Sequence, residues 1–273
     1  MPDILITGVS TGIGRACANL YARRGWSVTG TVRDASNRPQ ELDERVMLET
    51  LDLAERGSAA ALAGRMLAST GCPDVLVSNA GVVQFGAIED VPAAEVERIF
   101  QVNLFGQLEL IRALLPAMRQ RGSGTIANVT SLGGTLTFPF FGIYNATKWA
   151  FEGLSEGLWH ELKPFGIRVK AIEPGFVQTA IWSKALPADR ETPGGSTAYH
   201  PFVRAMLDFE GGIKDRTTPD AVAIEIAAAI DDKSDRLRYP VAAYASALVR
   251  ARRFVGAQRF IRFFHTRWMG KDA

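Results

Sequence analysis

Histidine, cysteine and long apolar runs are all scarce in this chain. Its 273 residues hold three histidines (His160, His200, His265) and two cysteines (Cys17, Cys72), all far apart. Such scattered groups do not supply the clustered nitrogen and sulfur ligands of a zinc site, so no metal is expected. Two lone thiols suit small, reduced, buried residues in a cytoplasmic protein. The longest run without charge, 122–147, is rich in Gly, Ser, Thr and Asn and does not read as a membrane span. Met1-Pro2-Asp3 leads straight into the first apolar run, with no basic leader segment. The formal net charge is only +2, and nothing points to a nucleic-acid partner. What remains, 47% hydrophobic and 22% charged, is the composition of a soluble globular chain long enough to bury a full core.

Short apolar runs alternate with helical patterns. Ile4-Leu5-Ile6-Thr7 reads as a strand buried on both faces, and a helical pattern runs from Arg15 to Arg24. Between them lie Gly8, Ser10, Thr11, Gly12, Ile13 and Gly14, in the spacing G-x-x-x-G-x-G. A glycine turn from a strand into a helix exposes backbone N–H groups to a phosphate and lets a ligand come close. Further strands are expected at 26–32, 46–51, 73–77, 125–130, 167–172 and 236–241. Helices are expected at 54–70, from Pro92 to about Gln120, around Tyr144, and from Thr218. This alternation predicts an α/β fold: one doubly wound parallel sheet in three α/β/α layers, a Rossmann fold in a single domain.

The second strand ends on Val32, with Arg33 next and no acid at its last position. In a dinucleotide fold an acid there binds the ribose 2′-hydroxyl, and an arginine accepts a 2′-phosphate. A charge-assisted hydrogen bond of about 1.5–3 kcal/mol favours NADP(H) over NAD(H) by roughly ten- to a hundredfold. Asp34 is the competitor, able to pair with Arg33 at the surface. Asp52, at the end of the third strand, is placed for an adenine amino group.

Tyr144 and Lys148 stand four residues apart, on one face of a helix. A phenol with an ordinary pKa of about 10 becomes a useful acid–base group if an ammonium ion stabilises its phenolate. Ser131, at the end of the run 125–130, is expected to hold its hydroxyl toward a substrate oxygen. Asn103 is unfavourable in mid-helix, which hints at a role. Phe138, Phe140 and Phe141 either line an apolar pocket or pack under a loop.

Together these residues resemble the short-chain dehydrogenase/reductase family over roughly residues 3–240. The matching set is Thr7-Gly8-x-x-x-Gly12-Ile13-Gly14, Asp52, Ser78-Asn79-Ala80-Gly81, Asn103, Ser131, Tyr144-x-x-x-Lys148, and Pro174-Gly175 with Thr179. The resemblance implies Tyr144 as general acid/base, and Lys148 holding the nicotinamide ribose and lowering the tyrosine pKa. It implies that Ser131 polarises the carbonyl and Asn103 anchors a relay water. Cofactor contacts would come from the glycine loop, Leu53, Asn79, Ala80, Gly81, Pro174, Gly175, Val177 and Thr179. Ser78 replaces the family's more usual asparagine. Glu173 ahead of Pro174-Gly175 points to the retinol and hydroxysteroid dehydrogenase branch.

The expected protein is thus an oxidoreductase interconverting an apolar alcohol and its carbonyl, with NADP(H) preferred and NAD(H) second, as a homodimer or homotetramer. The alternative is a protein that senses the dinucleotide without turnover. Residues 1–240 form the expected dinucleotide-binding and catalytic domain, with 176–216 as a substrate loop, and 241–273 a basic amphipathic extension. That extension carries seven Lys/Arg against one acid, so it is +6 and the rest of the chain −4. The favoured reading packs it on its own subunit or a partner; attachment to an anionic membrane is the lesser one.

Overall fold

The computed structural model describes residues 1–185 and 195–269. Seven strands, β1 (Asp3–Ile6), β2 (Ser27–Val32), β3 (Met47–Thr50), β4 (Val75–Ser78), β5 (Gly124–Val129), β6 (Ile167–Pro174) and β7 (Arg238–Val241), form one sheet. Their order is β3-β2-β1-β4-β5-β6-β7, and every pairing is parallel. All strands expected from the sequence are present, most shortened by a residue or two.

Side-chain alternation along each strand divides the core in two. Ile4 and Ile6 pack on one face, against helices α1 (Gly12–Arg23) and α8 (Pro219–Asp231). Leu5 packs on the other, against α2 (Ser58–Ser69), α4 (Gly106–Arg121) and α5 (Gly142–Leu162). On α5 the buried positions 144, 147, 148, 151, 155, 158 and 162 repeat every three or four residues and make one continuous inward stripe. β1 pairs with both β2 and β4, so the chain's crossovers run in opposite directions from it. At such a switch point the strand ends leave a crevice.

The single helix expected from Pro92 to Gln120 is instead three pieces. α3 (Ala93–Phe100) and α4 are joined by a π-helical turn, Gln101–Phe105, that contains Asn103. The substrate loop at 176–216 is also more ordered than its prolines and glycines suggest. It holds α6 (Ala180–Ala185) and α7 (His200–Gly211), where Pro201 opens the first turn and Val203, Met206 and Leu207 give a buried face. The tail forms a hairpin of α9 (Ala245–Val255) and α10 (Ala257–Met269), joined at Gly256 with φ +83°. Residues 186–194 and 270–273, with the side chains of Trp182, Arg267 and Trp268, lie outside the described part of the loop and tail.

Phe260 of α10 and Ala245 of α9 are buried in a third cluster with Phe138, Phe141, Tyr144 and Met206. The hairpin therefore packs on its own subunit as a roof over the end of α5. Arg252 caps this contact, its guanidinium carbon 5.2 Å from the Trp149 ring centre.

Candidate active site

The glycine turn is held by a web that ties β1, β2 and β4 together. The Gly8 and Val9 amides donate to the Thr31 carbonyl at 3.1 and 3.0 Å. Thr7 Oγ1 accepts the Asn79 and Ala80 amides at 2.9 and 3.0 Å, and Asn79 Nδ2 donates to the carbonyls of Thr7 and Gly8. Gln107 Nε2 completes the web on the Ala80 carbonyl at 2.7 Å. Gly8 has φ +74°, and a Cβ there would meet Ala80 at 2.9 Å. A Cβ on Gly14 would lie 2.1 Å from the Gly8 carbonyl oxygen. Both positions thus require glycine for the backbone to fold on itself.

The N-terminus of α1 has no side-chain cap and no acid in its first turn, and Ser10 and Thr11 beside it are exposed. Its amides are thus presented to an anion, which fits the pyrophosphate of a dinucleotide. Thr179 borders the same turn, since a Cβ on Gly12 would fall 3.2 Å from its Cγ2. Val177 is buried beside it and bridges to Thr217, and Gly175 lies against the Ala243 carbonyl. Arg33 is exposed at the end of β2. Asp34 does not pair with it, because its carboxylate accepts the amide and hydroxyl of Ser36 at 3.0 and 2.6 Å. Asp52 Oδ1 accepts the Ala54 amide at 2.9 Å, and Leu53 is buried against Gly106.

Asn103, Ser131, Tyr144 and Lys148 converge from three elements: the π turn, the turn after β5, and α5. Ser131 follows β5 by two residues and enters a short 3₁₀ turn, where its Oγ accepts the Gly133 amide at 2.9 Å. A Cβ on Gly133 would meet Tyr144 Cε1 at 3.2 Å and Ser131 Oγ at 3.3 Å, which shows how closely the two hydroxyl-bearing residues flank this glycine. Gly81 plays the same part on the other side, its built Cβ lying 3.2 Å from Asn103 Oδ1 and 3.7 Å from Lys148 Nζ. Lys148 Nζ donates to the Val129 carbonyl at 3.0 Å.

Asn103 explains its unfavourable location. Its Oδ1 accepts the Val82 amide at 2.8 Å, while Nδ2 donates to the Val82 carbonyl at 2.9 Å and to Thr147 Oγ1 at 3.1 Å. The residue therefore locks the loop after β4 to α5, and the π turn is the backbone form that aims it there.

The titration of the pair differs from the sequence expectation. Burial pushes the Tyr144 phenol up to about 12, with the Ser131 hydrogen bond pulling the other way. The Lys148 ammonium stands 6.0 Å from the ring centre and donates to the Val129 carbonyl. Lys148 itself is brought down to about 8 by burial, opposed by Glu152.

Ser131 and Tyr144 open into a cleft of about 460 Å³, part of it facing solvent, between the end of β6 and α7. Phe138, Phe141, Phe176 and Met206 make its walls apolar, and Glu210 and Arg216 close the far side. Phe138 and Phe141 thus line the pocket, whereas Phe140, at φ +64°, turns toward Phe85 and Tyr199. Among the described residues no group of three His, Cys, Asp or Glu could hold a metal, and no helix is long and apolar enough to cross a membrane.

The short chain dehydrogenase pattern matches residues 3–190. The chain belongs to the short-chain dehydrogenase family. Human 17-beta-hydroxysteroid dehydrogenase type 1 is 33% identical over 249 residues, which covers 86% of this chain and 76% of that one. A short-chain dehydrogenase from Streptomyces avermitilis superposes with a TM-score of 0.79 at 33% identity, covering 98% and 95% of the two chains. A short-chain dehydrogenase from Sphingobium yanoikuyae in complex with NADPH gives 0.70 at 28% identity, over 93% and 95%. As a family member this chain is an oxidoreductase of the hydroxysteroid dehydrogenase-like branch, and a nicotinamide dinucleotide is its expected cofactor.

Sequence reading missed Gln107, Asn145 and Glu152. Asn145 Nδ2 holds the Phe138 carbonyl at 3.1 Å and so fixes the aromatic loop beside Tyr144. Each is a buried polar residue on a helix face that also buries apolar side chains, which is the signal that could have found it.

Proposed function

We propose that this short-chain dehydrogenase interconverts an apolar secondary or primary alcohol and its carbonyl, with NADP(H) preferred over NAD(H). The observation that carries the reading is the convergence of Ser131 and Tyr144 at one end of an aromatic cleft, with Lys148 and Asn103 directly behind them.

The dinucleotide, when bound, supplies or accepts the hydride. The protein's own residues do the rest. The amides opening α1 take the pyrophosphate, and Arg33, left free by Asp34, takes a 2′-phosphate. Ser131 Oγ orients the substrate oxygen. Tyr144 gives that oxygen a proton in reduction and removes it in oxidation, a role worth about 10²–10⁴ in rate. Burial keeps the phenol protonated at neutral pH, so Tyr144 has a proton to give. Lys148 stands ready to stabilise the phenolate that results. Phe138, Phe141, Phe176 and Met206 exclude water and favour an apolar substrate body. The relative named 17-beta-hydroxysteroid dehydrogenase supports a substrate of steroid-like or comparable apolar character. A homodimer or homotetramer through the Asn103 and Tyr144 helices is supported by Phe105, 49% exposed beside the π turn.

Parallel titration with NADPH and NADH tests the cofactor. NADPH is expected to bind roughly ten- to a hundredfold tighter, and Arg33→Ala to erase that margin without weakening NADH. A panel of apolar carbonyls and alcohols then tests the reaction. Equal binding of both dinucleotides would leave Arg33 a surface residue, and binding without turnover on any substrate would favour the sensor.

A further inference from the structure

Behind Lys148 lies a buried acidic pair that the reaction scheme leaves unused. Glu152, one helical turn further along α5, is 4% exposed, and Glu173, at the end of β6, is fully buried. Ile167 and Val169 of β6 pack under α5, and by strand alternation Glu173 points to that same face. One guanidinium serves both carboxylates: Arg238 Nε is 3.0 Å from Glu152 Oε2 and 3.6 Å from Glu173 Oε1. Its outer nitrogen is committed to Glu156 at 2.6 Å, toward solvent. Glu152 Oε1 and both oxygens of Glu173 are buried without a hydrogen-bond partner.

Two buried carboxylates beside each other do not both ionise cheaply. The groups facing them are Lys148 and Glu156 on α5, Thr130 at the end of β5, and Arg236 and Arg238 from the edge strand. Gly134 closes the remaining side, where a Cβ would lie 2.9 Å from Glu152 Cγ. With one proton on the pair, the charges of Lys148, Arg236 and Arg238 exceed those of one carboxylate and Glu156 by one.

We propose that Glu152 and Glu173 share a single exchangeable proton and through it hold Lys148 as an ammonium ion across neutral pH, as positioning residues rather than catalytic ones. Losing the shared proton adds one negative charge under the lysine, which opposes loss of the lysine's own proton. The pair thus buffers Lys148 as pH rises. Burial and the neighbouring Glu152 lift Glu173 to about 7, just below the value near 8 at which Lys148 would discharge.

The inference rests on the role proposed above for Lys148, so its test separates the two. The chain has seven lysines, few enough to follow Lys148 by the ¹³Cε shift in selectively labelled protein, assigned with Lys148→Arg. Glu152→Gln or Glu173→Gln alone should lower the Lys148 titration modestly, because removing one carboxylate lets the other ionise more readily. The double Gln variant should lower it by more than the two single effects together, by about one pH unit or more. Glu152→Asp should restore it. The alkaline limb of kcat should move in step, whereas a merely structural role would scale kcat equally at every pH. An unchanged Lys148 titration in the folded double variant overturns the proposal. Should that variant not fold, an unchanged titration in Glu173→Gln overturns it equally. A lysine titration that moves while the rate profile stays fixed would uphold the charge control and refute the catalytic role of Lys148.

Discussion

Replacing Glu173 by glutamine should stabilise the protein in a pH-dependent way. The carboxyl is fully buried, neither oxygen has a hydrogen-bond donor, and the Arg238 nitrogen stands off at 3.6 Å. Burial first, and Glu152 second, raise it from 4.5 to about 7. An acid raised in the folded state binds its proton more tightly there than in the unfolded chain. Below about 4.5 both states are protonated and nothing is lost; between about 4.5 and 7 the unfolded chain ionises alone, and stability falls as pH rises. Above 7 the full cost is present, about 3 kcal/mol for a displacement of that size. Glutamine keeps the shape and carries no charge. The variant should therefore match the parent near pH 4 and exceed it by up to about 3 kcal/mol at pH 8, or roughly 6–12 °C in Tm for a chain of this size. Thermal melts of both proteins from pH 4 to pH 8 measure this directly. A variant less stable than the parent at pH 8, or a difference independent of pH, would refute the account of Glu173 as a poorly solvated buried acid.

Other outcomes follow from the same geometry. Tyr144→Phe should cut turnover by about 10²–10⁴ while leaving dinucleotide affinity within a few fold, measured by steady-state kinetics beside fluorescence titration. Gly14→Ala places a methyl 2.1 Å from the Gly8 carbonyl, so the turn must open; a loss of 1–3 kcal/mol or more and weaker dinucleotide binding should appear together in denaturant titrations. Phe260→Ala removes a ring packed in the roof cluster with Tyr144 and Met206. It should release the hairpin locally, with faster hydrogen exchange in α9 and α10 and a higher KM for apolar substrates, at a cost of up to about 3–5 kcal/mol.

Much of this architecture was legible because it is local. The strand Ile4–Ile6, the glycines and the helix behind them follow each other within twenty residues, and their order alone specifies a turn that faces a phosphate. Tyr144 and Lys148 share a helix, so their spacing placed them. The polar contacts that finish the site are not local. Thr7 meets Gln107 a hundred residues away, and Glu152 meets Arg238 at a separation of eighty-six. No periodicity encodes such pairs; only the sheet order brings them together. α7 was hidden differently, since its short amphipathic face is surrounded by prolines and glycines that also suit a loop. Spacing reveals a neighbour's charge but not the depth of burial, and burial is the largest influence on the Tyr144 phenol.

The π turn at Gln101–Phe105 has a consequence for how the gene can change. Surface loops absorb gained or lost codons at little cost, and the stretch from Pro92 to Arg121 looks from its sequence like one tolerant helix. It is not, because the wider turn takes up one residue more than an α-helix would, and closing it into a regular α-helix at the same length would rotate one half by about 100° against the other. Ile99 is buried on one side of the turn, and Gln107 and Leu110 on the other. No rotation of that size keeps both sets inward. Substitutions that force a regular α-helix on residues 101–105 should therefore be tolerated only together with the loss of one residue, at the cost of the aim of Asn103.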